Sequence, residues 1–399
     1  MRYSRVHVES IGYELAPVVV STAELEGRIA PAYEAMGMKP GQLELLTGIS
    51  ERRWWEPGYP VSEGAAAAGR KALAAADVRP DEVDVLIYAG VCREHFEPAT
   101  ACAVADRLGV GPDTAVYDVS NACLGVLNGV VDVANRIELG QARAGLVVSA
   151  ETAREINEQT IDRMVRTKSR ELFAESVATL TGGSGAVGVL VTSAEMSRRK
   201  RRRLVGGVTK AAPQHHALCR WGLESLLPVA AGAVDVAVGA VDKVLGHGAS
   251  ALVRKGIGRG QDLAVGATAL LRQGVDYGLR HLRVPFMETH AGEVLKHGVE
   301  LGNRTWQAFL AKFGWRPEYL DKVICHQVGS QHRDTVLKAL GIPPEKDYST
   351  FPFLGNIGTV SLPLTAALAE ERDFLRPGDR VGWLGIGSGL NCLMLGIEW

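Results

Sequence analysis

The sequence lacks what several protein classes require. No uncharged apolar run approaches the ~18 residues of a membrane span. The opening MRYSRVHVES has none of the apolar stretch that marks a signal peptide. A soluble, cytoplasmic protein with no membrane span is therefore expected. Charge imbalance is absent as well: 44 Lys and Arg face 45 Asp and Glu, a formal charge of -1. That balance offers no general attraction to nucleic acid or to an anionic lipid surface. The six cysteines, Cys92, Cys102, Cys123, Cys219, Cys325 and Cys392, never fall in paired CxxC spacing. This argues against a zinc ribbon or a disulfide framework and suits a reducing compartment; no metal site is expected. What is present is a 46% hydrophobic, 22% charged chain of 399 residues, ample for a large core and too apolar for wholesale disorder.

Strand and helix patterns alternate along the first half. VDVLIYAGV (83–91) is an apolar run bounded by charge, as in a strand covered on both faces. It is followed by the helical TACAVADRLG, the strand TAVYDV (114–119) and the long helical ACLGVLNGVVDVANRIELG. Strands AGLVVSAE (144–151) and GAVGVLVTS (185–193) come next. The second half replays this order with DKVICHQV (321–328), the helices SQHRDTVLKALG and SLPLTAALAEERDFL, and a closing strand pair around a glycine turn. A layered α/β architecture with two similar halves, 1–196 and 204–399, is predicted. Between them lies the basic run SRRKRRR (197–203), read either as a solvated connection or as a docking patch for phosphate or an acidic carrier. The stretch 226–285, rich in Ala, Gly and Val, predicts an inserted helical hairpin. Scaffold or dimer surface, a lid over a substrate channel, and a membrane-surface contact are its alternative roles.

One cysteine differs from the rest. Cys123, in DVSNACLG, stands after an apolar strand and at the start of a long apolar helix. The helix dipole there favours thiolate and lowers a thiol pKa, and free backbone N–H groups can hold an oxyanion. Taken alone, a cysteine in such a place is more often a small core residue. His326, in CHQVGSQH, adds weight, because it ends a buried strand where α/β sheets place their sites. Asn356, in LGNIGTVSLPL, occupies a glycine-flanked turn before a helix. Together they suit thioester chemistry: a sulfur nucleophile, with His and Asn donating hydrogen bonds to a developing enolate or oxyanion. TGGSGAVG (181–188) and LGIGSGLN (384–391) both lack the strand–GxGxxG–helix order and the later acidic residue of a dinucleotide loop. For the second, a glycine turn facing Cys123 is the better reading.

GISERRWW (48–55), DVSNACLG, TLTGGSGAVGVLV, CHQVGSQH, LGNIGTVSLPL and GIGSGLN together resemble the thiolase superfamily, ketoacyl synthase III branch. HFEPAT (95–100), LCRWGL (218–223) and GIGSGLNCLML near the terminal Trp are most similar to the OleA type, which condenses two fatty acyl-CoA molecules at the start of bacterial olefin biosynthesis. The segment 226–285 is read as a departure from that pattern. The resemblance implies a thiolase-like, duplicated five-layered αβαβα fold with a helical insertion in the second half. It further implies that Cys123 carries the first acyl group and that His326 and Asn356 bind the carbonyl of the second. Cys123 and Gly389 would supply the oxyanion-hole N–H groups, with Ser388 close by. Coenzyme A thioesters would be substrates, with no separate cofactor. Partners would be a second copy of the chain and downstream pathway enzymes.

Glu97 discriminates between reactions. Decarboxylative synthases obtain their carbanion by losing carbon dioxide, whereas two plain acyl thioesters require removal of an α-proton. A carboxylate in a low-dielectric site can assist. In the olefin-forming type a glutamate at this motif reaches across the dimer into the neighbouring site. Against that stands a simple capping role for Glu97 ahead of the next helix. Non-decarboxylative condensation to a β-keto acid is the leading expectation. The alternatives are ketoacyl synthase III-like condensation with malonyl-ACP, and a non-condensing scaffold that keeps the fold.

Overall fold

Apolar side chains occupy both faces of the central strands, so the sheet they form must be covered on both sides. The computed structural model describes residues 1–198, 200–225 and 283–399. Its strands are β1 (Val6–Leu15), β2 (Val18–Ser21), β3 (Glu51–Trp54), β4 (Val85–Tyr88), β5 (Ala115–Asp118), β6 (Ala144–Glu151) and β7 (Gly185–Ser193). In the second half come β8 (Arg203–Ala211), β9 (Cys219–Ser225), β10 (Arg283–Thr289), β11 (Lys322–Cys325), β12 (Arg380–Gly387) and β13 (Asn391–Glu398). Among the described residues, nine of these strands form one sheet in the order β11-β12-β13-β8-β1-β7-β6-β4-β5. β2 pairs with β3, and β9 with β10.

The halves repeat each other strand for strand. β1–β7 and β7–β6 are antiparallel and β6–β4 is parallel. Correspondingly, β8–β13 and β13–β12 are antiparallel and β12–β11 is parallel. The place that β5 takes beside β4 is reduced in the second half to one parallel bridge between Val323 and Asp347. His7 and Arg203 join the two half-sheets at β1 and β8.

Strand alternation then dictates five layers. Val85, Ile87 and Val147 pack inward with Ile324, Trp383, Leu393 and Leu395 of the other half. Between them lie the helices Gly125–Glu138 and Ser361–Glu371, which form the middle layer. The alternate residues Leu86, Tyr88, Leu146 and Val148 face outward onto helices Val61–Ala76 and Thr100–Leu108. On the far side Val323, Cys325, Leu384 and Met394 meet Ala291–Phe313 and Ser330–Leu340. The duplicated αβαβα architecture expected from the sequence is the one observed.

The chain divides into two compact units, Met1–Arg220 with Glu288–Trp399, and Trp221–Met287. The predicted helical insertion at 226–285 falls almost wholly on 226–282, outside the described residues. No described helix is long and apolar enough to cross a membrane.

The basic run is held inward at its C-terminal end. Arg202 is buried, donates to Glu370 at 2.6 Å and to Glu9 O at 2.9 Å, and lies 5.0 Å over the Trp399 ring. Arg203 pairs with Glu398 at 2.7 Å and Arg198 with Asp77. Arg202 thus joins Glu9 of the first half to Glu370 of the second, while Arg198, Lys200 and Arg201 stay exposed.

Candidate active site

The turn between β5 and helix Gly125–Glu138 presents Cys123. Ala122 takes φ 45°, a left-handed conformation that bends the backbone sharply before the half-buried cysteine. Gly125 is required for the approach of this turn to β4: a Cβ there would stand 2.7 Å from Ala89 O.

The turn between β12 and β13 lies against the cysteine, as its glycines suggested. A Cβ on Gly387 would fall 3.4 Å from the Cys123 backbone nitrogen. Asn391 Nδ2 donates to Asn121 Oδ1 at 3.1 Å, and Asn121 Nδ2 donates to Asn128 Oδ1 at 2.8 Å. This amide chain ties the glycine turn to the nucleophile turn. Gly389 and Ser388 sit at its tip, Gly389 with φ 130°.

Asn356 is fixed by the other glycine-rich segment. Its N–H donates to Thr181 O and its carbonyl accepts from Gly183 N, both at 2.9 Å. Gly183 has no room for a side chain, since a Cβ would lie 2.1 Å from Leu354 O. The Asn356 Oδ1 accepts from Gly358 N at 3.0 Å, leaving the side-chain NH2 as the donor end. Three residues past Asn356, the buried Thr359 Oγ1 accepts from Val126 N at 2.7 Å, which links the asparagine loop to the nucleophile helix. Thr359→Val leaves that buried N–H unsatisfied. A loss of about 1–2 kcal/mol in denaturant unfolding is expected, and an unchanged midpoint would refute the link.

His326 continues β11, its N–H donating to Leu384 O at 3.0 Å, and is 7% exposed. Burial pushes its pKa down to about 3, helped by the neighbouring His332, itself lowered to about 4 by burial. Both imidazoles are neutral at pH 7. Their unfolded counterparts gain protons near pH 6.5 while the folded ones do not, so stability present above pH 6.5 is lost as pH falls toward 3. His326 alone should cost about 2 kcal/mol between pH 7 and pH 5. Urea unfolding at both pH values, compared with His326→Asn, measures this; an equal loss in the variant would contradict it. An apolar cavity of about 30 Å³ adjoins His326, lined among others by His332, Val336, Leu340, Gly385 and Ile386. It has room for a few waters but not for a fatty chain.

The Cys123 thiol departs from the sequence expectation of a lowered pKa. Burial pushes it up to about 12, and the neighbouring Cys219 and Glu151 add to the effect. The helix begins at Gly125, beyond the cysteine, and the Val126 N–H is already taken by Thr359. The dipole therefore has little free N–H to offer, and desolvation wins. Such a site starts from a neutral thiol and a neutral imidazole, so the thiol proton must leave as the acyl bond forms.

Glu97 lies apart from these groups within the single chain. It is exposed on the segment after β4, beside Phe96, which is 92% exposed. Sequence reasoning missed Thr359, Glu151, Cys219 and the asparagines Asn121, Asn128 and Asn391. Thr359, Asn121, Asn391 and Cys219 lie inside motifs already singled out, but nothing local marked which of their residues would pair.

A two-half α/β fold with a cysteine turn facing a glycine turn and an asparagine loop defines a thiolase-type condensing enzyme. Residues 58–193 match the thiolase N-terminal domain, and residues 310–399 match the C-terminal domain of 3-oxoacyl-[acyl-carrier-protein] synthase III. The chain belongs to the thiolase superfamily, in its ketoacyl synthase III-like branch. It is 49% identical over 401 residues to the acyl-CoA:acyl-CoA alkyltransferase of Shewanella oneidensis, with all of both chains covered. The enzyme of the same name from Xanthomonas campestris pv. campestris is 30% identical over 400 residues, again across all of both chains. The crystal structure of Xanthomonas campestris OleA with bound lauric acid and lauroyl-CoA superimposes with a TM-score of 0.81 at 30% identity, covering 100% of each chain. The aligned span of both alkyltransferases includes 226–285.

Proposed function

We propose that this protein joins two fatty acyl-CoA molecules by non-decarboxylative Claisen condensation, yielding a β-keto acid. Cys123 Sγ attacks the first thioester carbonyl, coenzyme A leaves as the thiol, and an acyl-Cys thioester remains. An α-proton of the second acyl-CoA passes to Glu97 of the neighbouring copy. The resulting enolate carbon attacks the acyl-Cys carbonyl and expels the Cys123 sulfur. Hydrolysis of the β-ketoacyl-CoA then releases the acid and the second coenzyme A. His326 and the Asn356 NH2 donate to the carbonyl that becomes the enolate, and the Cys123 and Gly389 N–H groups hold the oxyanion. The reaction so written calls for no metal and no redox cofactor.

The observation that carries this reading is full-length likeness to two acyl-CoA:acyl-CoA alkyltransferases, and the turns that bear Cys123, His326 and Asn356 support it. Glu97 and Phe96, exposed together on one segment, support a homodimer in which each copy completes the other's site. β5, at the open edge of the sheet, supports the same assembly through strand pairing between copies. We read residues 1–196 and 204–399 as its two halves, and the setting as cytoplasmic olefin biosynthesis feeding downstream enzymes.

A decarboxylative reading draws on the synthase III match and on the 28% identical β-ketoacyl-ACP synthase III of Streptomyces coelicolor. The test is incubation with a saturated acyl-CoA alone. Free coenzyme A and a β-keto acid or its ketone are expected; product only with malonyl-ACP would replace the first reading by the second.

A further inference from the structure

A buried carboxylate outside the proposed chemistry joins the Asn356 loop to the segment that carries Glu97. Glu151 ends β6 and is 4% exposed. Its Oε1 accepts from Val91 N at 2.9 Å and its Oε2 from Cys92 N at 3.1 Å. Gly358, next to the Asn356 loop, packs on it: a Cβ there would lie 3.4 Å from Glu151 Cγ. Its charge also acts on the Cys123 thiol.

The other anchors of the segment are equally specific. Ser62 N donates to Glu94 at 3.0 Å, while Thr100 N and Ala101 N donate to Asp118 at 3.0 and 2.8 Å. Between these fixed points only His95, Phe96, Glu97 and Pro98 are continuously exposed. Glu151 holds the N-terminal root of this projecting tip.

We propose that Glu151 is a positioning residue for condensation: it clamps Val91 and Cys92 so that the tip bearing Glu97 is presented at a fixed height and angle to a neighbouring site. The proposal rests on the condensation reading above. Both carboxylate oxygens already accept backbone N–H groups, which makes Glu151 a clamp and leaves proton abstraction to Glu97. Misplacing a catalytic group by about 1 Å can cost ~10²-fold in rate, so a clamp of this kind matters to the second half-reaction and hardly to the first.

Glu151→Gln tests it in the full-length protein. Glutamine keeps one acceptor but turns an NH2 toward the other backbone N–H, so one hydrogen bond becomes a donor–donor clash. Three readouts separate the outcomes: amide hydrogen exchange at residues 90–98, coenzyme A released in a single turnover from tetradecanoyl-CoA, and condensed product. The expected result is exchange at least about tenfold faster and condensation reduced at least about tenfold, with single-turnover acylation within about threefold of wild type. Glu151→Asp keeps the charge, shortens the reach and should fall between the two. It carries the comparison if the glutamine variant folds poorly. Unchanged exchange, or equal loss of acylation and condensation in both variants, overturns the proposal. Failure of the condensation reading itself would appear differently, as wild-type protein making no product without malonyl-ACP while the exchange data still report on the clamp.

Discussion

Cys123→Ala is expected to abolish carbon–carbon bond formation, with turnover at least about 10⁴-fold below wild type and no burst of coenzyme A. The prediction follows from the sulfur seated at the β5–helix turn, against a glycine turn in which a Cβ on Gly387 would fall 3.4 Å from the Cys123 backbone nitrogen. Hydrogen in place of the SH group removes the acyl acceptor and leaves the packing nearly intact, so thermal stability should change little. The resting thiol, pushed up to about 12 by burial, further predicts that iodoacetamide labels Cys123 slowly at pH 7 and faster as pH rises. Rapid, pH-independent labelling from pH 6 upward would show a preformed thiolate and refute the neutral-thiol start.

The second large effect belongs to Glu97. Glu97→Gln should leave the first half-reaction in place, so that one equivalent of coenzyme A is still released and the acyl group stays on Cys123. Condensation should fall about 10²–10⁴-fold, the range for loss of a general base. Intact protein mass spectrometry reads the trapped acyl-enzyme directly, and a product assay reads the loss. A capping role ahead of helix Thr100–Leu108 predicts otherwise: lower stability with both half-reactions scaled down together. The cap of that helix is occupied by Asp118, which accepts from both Thr100 N and Ala101 N. That arrangement leaves Glu97 free of helix duty. Mixed dimers of Cys123→Ala and Glu97→Gln chains should recover part of the activity, because one of the two sites then holds both an intact cysteine and an intact glutamate.

Most of the fold was legible because its strands are covered on both faces. β4, β6 and β7 read as unbroken apolar runs, and the strand-to-helix turn at Cys123 and the glycine-flanked turns after Ile386 and around Asn356 carried their own signals. β1 was missed for a physical reason. VHVESIGYEL places His7 and Glu9 inside the central sheet, which breaks any apolar pattern. Glu9 is tolerated there because Ser197 Oγ at 2.6 Å and Arg198 N at 3.2 Å donate to its carboxylate. Those donors come from the basic run, far along the chain, so no local reading finds them. The same holds for the site. Cys123, His326 and Asn356 stand in recognisable motifs, but Thr359 capping Val126 and Glu151 holding Val91 and Cys92 are long-range hydrogen bonds. The helix-dipole argument failed at Cys123 because it counted sequence position and could not count burial or the taken Val126 N–H.

Mass spectrometry of the products formed from tetradecanoyl-CoA, with no malonyl donor present, tests the central claim most directly. The account predicts a β-keto acid, or the ketone left by its decarboxylation, carrying both acyl chains. Coenzyme A release without any doubled chain, or a doubled product that persists in Cys123→Ala, would contradict it.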